Sequence, residues 1–187
     1  MGCGVEGCGT IMAIVESISA EFRRYRALAE KAIAQLDGAA LSAPPAGGGN
    51  SIATISWHLS GNLRSRFTDF LASDGEKPWR ARDEEFQPRS VTRDEVLARL
   101  MEGWTVLFTT LDTLTDSDLD RRVAIRGQEL FVREALLRAL AHLAYHVGQI
   151  VYAAKAARGD EWTYLSIPPG QSDDYNQRPT LERPPAK

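Results

Sequence analysis

At 187 residues, with 43% hydrophobic and 25% charged residues and a formal net charge of -3, the chain has the balance of a soluble globular protein and enough length to bury a core. That charge excludes a general attraction to nucleic acid or an anionic membrane surface. No uninterrupted apolar run is long enough to span a bilayer, so the cytoplasm is the expected setting.

The two cysteines, Cys3 and Cys8, sit in the Gly-rich opening MGCGVEGCGT, outside any periodic segment. They are read as reduced thiols on a flexible extension over residues 1–10, with Met12 as an alternative start, rather than as a staple or a metal pair. From Ile11 to Leu36 apolar residues recur every three to four positions with charges between them, which predicts a helix with one buried stripe. Asp37-Gly38 is expected to end it through a left-handed glycine cap. LSAPPAGGGN then reads as a loop.

Asn50-Ser51 can cap a second helix, with Ile52, Ile55, Leu59, Leu63, Phe67, Phe70 and Leu71 on its apolar side and Gly75 past its end. The polar segment DGEKPWRARDEEFQPRS reads as a long loop, of a length that suits the wall of a cleft. Thr92 and Glu95 form a capping box for a third helix, whose stripe runs from Val96 to Leu114. In RRVAIRGQELFV the alternation of Val123 and Ile125 around Gly127-Gln128 predicts a short hairpin with a type II′ turn. A fourth helix covers Arg133 to Arg158 and is closed by Gly159. The expected architecture is an all-α four-helix bundle with a small hairpin before the last helix, one domain over residues 11–176, and a disordered tail over 177–187.

The chain has three histidines. His142 and His146 are four residues apart on the last predicted helix, so both imidazoles project from one face. His58, beside a core stripe on the second helix, can supply a third nitrogen from across a bundle. Competing motifs fail on inspection. Leu143 stands where a zinc protease helix needs Glu after its first His, and no histidine has Glu three residues before it, as di-iron bundles require. There is no P-loop, G-x-G-x-x-G or C-x-x-C. What remains is a mononuclear three-histidine site with at least one coordination position open to water or substrate. Asn62, one turn from His58, and Gln149, one turn beyond His146, are candidates to hydrogen-bond a ligand or substrate. Tyr145 could orient a ligand or fill an interface. Arg66, Arg80 and Arg126 could hold a substrate carboxylate, although solvation at the surface is the commoner fate of arginine.

WHLSGNLRSRFTDFL with DGEKPWRARDEEF, the hairpin leading into HLAYHVGQIVYAAK, and SIPPGQSDDYN together resemble the DinB-like metal-binding four-helix bundles, in a functionally uncharacterised branch. The likeness runs from the first helix to Asn176. Its most specific part is one histidine on the second helix paired with H-x-x-x-H on the fourth. The resemblance implies an up-down-down-up bundle, a divalent ion (zinc or nickel) on His58, His142 and His146, and a homodimer. It also implies a small thiol or other small molecule as co-substrate, since relatives include thiol-dependent S-transferases and a maleylpyruvate isomerase. Two functions stay open: a transferase or hydrolase using an activated thiol or water, and a non-catalytic metal-stabilised stress or binding protein.

Overall fold

The computed structural model describes residues 12–182. The expectations of a flexible extension over 1–10 and of reduced Cys3 and Cys8 lie outside these residues, as does the tail beyond residue 182. The described chain is mostly helical, with one two-stranded hairpin. Its elements are α1 (Ile14–Ile33), α2 (Gly38–Ser42), α3 (Ile52–Phe67), α4 (Arg93–Leu111), β1 (Arg122–Ile125), β2 (Gln128–Phe131), α5 (Val132–Arg158) and α6 (Ser172–Gln177).

The four long helices follow from their apolar stripes. α3 packs against α4 and α5, and α1 against α4 and α5. Their buried faces meet in one hydrophobic cluster that includes Phe22, Leu59, Leu63, Trp104, Leu107, Leu136, Leu143 and Ile150. Helix starts are set by side chains that accept backbone amides left without partners in the first turn. Ser51 Oγ accepts from Thr54 N at α3, and Thr92 and Glu95 form the expected box at α4. α1 has no cap of its own: the Asp116 carboxylate, in the turn before β1, accepts from Ile14 N at 3.0 Å and Val15 N at 2.9 Å. A carboxylate there also complements the positive end of the helix dipole.

Several local readings change. α1 ends at Ile33 rather than Leu36, and α4 ends at Leu111 rather than Leu114. Gly38 does not close α1 in a left-handed cap. Asp37 instead caps the short α2 by accepting from Ala40 N, and a Cβ on Gly38 would lie 2.4 Å from the Val91 carbonyl oxygen. α3 ends at Phe67, four residues short of Leu71, with Asp69 in the left-handed region at φ 49°. The hairpin turn consists of Arg126 and Gly127, at φ 55° and 70°, between the paired Ile125 and Gln128. Two central residues at positive φ make it type I′, one residue earlier than the expected II′ turn. The cause is distant in sequence: the Asp74 carboxylate accepts from both turn amides, at 2.8 and 2.7 Å.

The same contacts order the long loop between α3 and α4. Gly75 N donates to the Ala124 carbonyl, while Ser65 Oγ donates to the Gly75 carbonyl. The loop then forms a short 3₁₀ turn, Arg82–Phe86, laid against α3. Beyond α6, the Tyr175 hydroxyl accepts from Thr180 N and Leu181 N, which folds residues 178–182 back on themselves.

Candidate metal centre

α3 and α5 bring the three histidines together. α5 presents His142 and His146 one turn apart, with ring centroids 4.6 Å from each other, and both rings lie about 5 Å from that of His58. One ring nitrogen from each residue falls within 4.8 Å of the others, so the cluster could hold a metal ion. His58 and His146 are buried and His142 is half-buried.

The remaining ring nitrogens are held from behind. His58 Nδ1 donates to Glu85 Oε2 at 2.9 Å, and His146 Nδ1 donates to Gln149 Oε1 at 2.8 Å. With its proton on Nδ1, each ring turns a bare Nε2 lone pair inward. His58 Nε2 and His142 Nε2 stand 3.3 Å apart. That separation suits a long N–H···N hydrogen bond. It also suits two nitrogens on one tetrahedral ion, for which zinc–nitrogen bonds of about 2.0–2.1 Å give a spacing of about 3.3 Å. Uncharged imidazole is the form a metal binds, and the site favours it. Burial, then the charges of His146, His58, Arg80 and Arg66, push His142 down to about 4. Burial also lowers His146, against the raising effect of its bond to Gln149. The donor set therefore fits a divalent ion.

Glu85, absent from the sequence-based candidates, anchors the centre. Its side chain is 6% exposed and its two oxygens accept from Arg80 Nε and Nη2, each at 2.8 Å, as well as from His58. Burial raises the Glu85 carboxyl, but hydrogen bonds and charge from Arg80 and His58 outweigh it and hold the group below the ordinary carboxylate range. The carboxylate reaches His58 only because the residue one turn along α3 is Gly61: a Cβ there would lie 2.0 Å from Glu85 Oε1. Arg89 holds the 3₁₀ turn in place by donating to the carbonyls of Glu84 and Glu85, with its guanidinium 4.6 Å over the Trp57 ring.

The other expected residues divide. Gln149 supports His146, and Asn62 lines a cavity beside His58 and His142. Tyr145 is 61% exposed and packs its ring on His146 at 4.5 Å. Arg80 is not a surface residue: its side chain is 2% exposed and committed to Glu85. Arg66 donates to the Gly75 carbonyl and to Glu76, which also accepts from Arg126. The cavity, about 270 Å³, reaches His58 and His142 but not His146.

Fold and site together define a mostly helical protein with a largely buried three-histidine cluster beside a cavity. Residues 11–171 match a family of proteins of unknown function, DUF1572, and the chain belongs to it. No match was found among curated proteins or solved structures. Among the described residues no helix is long and apolar enough to cross a membrane.

Proposed function

We propose that this chain is a DinB-like, up-down-down-up four-helix bundle in which His58, His142 and His146 hold a divalent metal ion, zinc or nickel. On this reading it is a metal-dependent transferase or hydrolase acting on a small molecule. One observation carries the reading: two imidazoles have their Nδ1 protons engaged by Glu85 and Gln149, so their free nitrogens face a third imidazole at the wall of a cavity. A divalent ion bound there would supply the Lewis acidity that makes a nucleophile of water or a thiol at neutral pH.

The chain's own groups do the rest. Glu85 fixes the His58 ring and its tautomer, and Gln149 does so for His146. Asn62, on the cavity side of His58, offers an amide to orient a bound molecule. Phe67 and Phe70 keep one wall of that cavity apolar. A homodimer is part of the same reading, and α5 exposes Leu137, Tyr145 and Tyr152, a surface that a second copy could cover.

A second reading is a metal-stabilised bundle without catalysis, favoured by the placement of the ligands on two different helices, α3 and α5. Cobalt(II) substitution separates the two. If the site is catalytic, small thiols or inhibitor anions will change the visible absorption of the cobalt protein as they enter its coordination sphere. If no thiol or anion alters the spectrum, and metal removal does nothing except lower the melting temperature, the catalytic reading is wrong.

A further inference from the structure

The wall of the cavity beside His58 and His142 has an unusual charge for this chain. Five arginines line it, Arg66, Arg80, Arg82, Arg126 and Arg138, and no carboxylate does. The protein as a whole is net negative, so the cluster is not a sample of a generally basic surface. Placing guanidinium groups around one cavity costs mutual repulsion, which neighbouring carboxylates partly offset. Glu85 answers Arg80, a single carboxylate on Glu76 serves both Arg66 and Arg126, and Asp83 approaches Arg82 at 3.8 Å. Arg138 has no hydrogen bond or ion pair among the described residues. Four of the five guanidinium groups thus share three carboxylates, Asp74 adds a fourth negative charge near Arg66, and Arg138 is left unanswered, so the wall keeps a positive excess.

The uncommitted donors define where an anion would sit. Arg126 uses Nε for Glu76 and keeps both terminal nitrogens, while Arg138 keeps its whole guanidinium. Arginine's planar fork matches carboxylate and phosphate oxygens in pairs, which is why clustered, unpaired arginines mark sites for such groups. Apart from Asn62 and the two histidines, the rest of the wall is apolar: Phe67, Phe70, Ile125, Ala135 and Ala139. Arginines, apolar side chains and two histidines around one cavity describe a ligand with an acidic group joined to a small apolar body.

We propose that this cavity binds a small organic acid, its carboxylate or phosphate held by Arg126 and Arg138 and its apolar part lying along Phe67, Phe70 and Ile125, next to His142. As an assignment of substrate class it rests on the metal-site reading above; as a binding site it stands on the arginines alone. The cavity is also tied to the loop that builds the metal centre, because Arg126 is held by Asp74 and Glu76 and Arg80 by Glu85.

The test is calorimetric titration of the full chain, both chelator-treated and zinc-loaded, with phenylacetate, phenyl phosphate and the uncharged phenylacetamide. The expected result is binding of an acid to both forms of the protein, with phenylacetamide weaker by about tenfold or more, the worth of a charge-assisted pair. Arg138→Gln combined with Arg126→Gln should weaken the acid by at least the same factor while zinc uptake stays unchanged. Whichever of phenylacetate and phenyl phosphate binds more tightly identifies the acidic group. Equal binding of acid and amide, or an unaltered affinity in the double variant, would overturn the proposal. So would acid binding confined to the zinc-loaded protein, which would place the anion on the metal, or no binding of either acid at millimolar concentration. A wild-type protein that takes up no zinc yet binds the acid would defeat the metal reading and leave the cavity assignment standing.

Discussion

Glu85 is the residue whose replacement should be felt most widely, because one carboxylate serves His58 and the buried Arg80 together. Glu85→Gln keeps the size of the side chain and one carbonyl oxygen, which can still accept from His58 Nδ1. Its amide then turns N–H groups toward the guanidinium, and the Arg80 side chain, 2% exposed, keeps a charge with no counterion. Breaking a buried pair from one side costs about 3–5 kcal/mol. Because one hydrogen bond survives, we expect the lower end, about 3 kcal/mol, or a fall in Tm of about 6–12 °C for a domain of this size. Urea unfolding of chelator-treated protein reads this value without any contribution from metal. Zinc affinity should also fall, by about tenfold to hundredfold, as the His58 ring loses its charged anchor; competition with a chromophoric chelator measures it. Adding Arg80→Met to the same variant should restore much of the stability but not the zinc affinity, since the second residue removes the orphaned charge without rebuilding the support of His58. An unfolding free energy and a zinc affinity both equal to wild type in Glu85→Gln would refute this account of the centre.

Gly61→Ala places a methyl group 2.0 Å from Glu85 Oε1; it should destabilise the chelator-treated protein by about 1–3 kcal/mol and weaken zinc binding, and a variant neutral in both urea melts and zinc titration would contradict the close approach. In chelator-treated protein His142 titrates at about 4, against about 6.5 in an unfolded chain. The unfolded chain then binds more protons between those values, so stability is full above the higher one and is lost as pH falls toward the lower. After discounting for a half-exposed ring, about 1 kcal/mol should be lost between about pH 7.5 and pH 5, and an unfolding free energy that rises on acidification would reverse the sign of the argument. Asp74→Ala removes the acceptor for the Arg126, Gly127 and Glu76 amides; hydrogen exchange at those positions should accelerate, with a loss of about 1–2 kcal/mol, and unchanged protection there would exclude Asp74 as the cause of the turn.

What could be read before the structure was local. His142 and His146 could be placed on one face because helical spacing decides which side chains are neighbours, and the Thr92–Glu95 box because both partners lie within one turn. The hairpin was legible as an alternation around a glycine. Its turn type was not, since the acceptor for the turn amides, Asp74, lies 52 residues before Arg126. Glu85 was hidden for the same reason. It stands in the polar run DEEF, 27 residues from His58, and nothing in that composition separates the buried carboxylate from the exposed Asp83 and Glu84 beside it. One signal was present: a glycine in the middle of α3, one turn from a histidine, where helix propensity alone would disfavour it. Its reason is the room it leaves for Glu85. Arg80, expected at the surface, is buried because its charge is answered by the same hidden carboxylate.

The central claim, that His58, His142 and His146 form one metal site, is tested most directly by elemental analysis of untagged protein after exposure to zinc and gel filtration, alongside His58→Ala and His142→Ala. The account predicts one zinc per wild-type chain and essentially none in either variant, each remaining folded by circular dichroism. Wild-type protein that retains far less than one zinc per chain, or variants that retain as much as wild type, would contradict it.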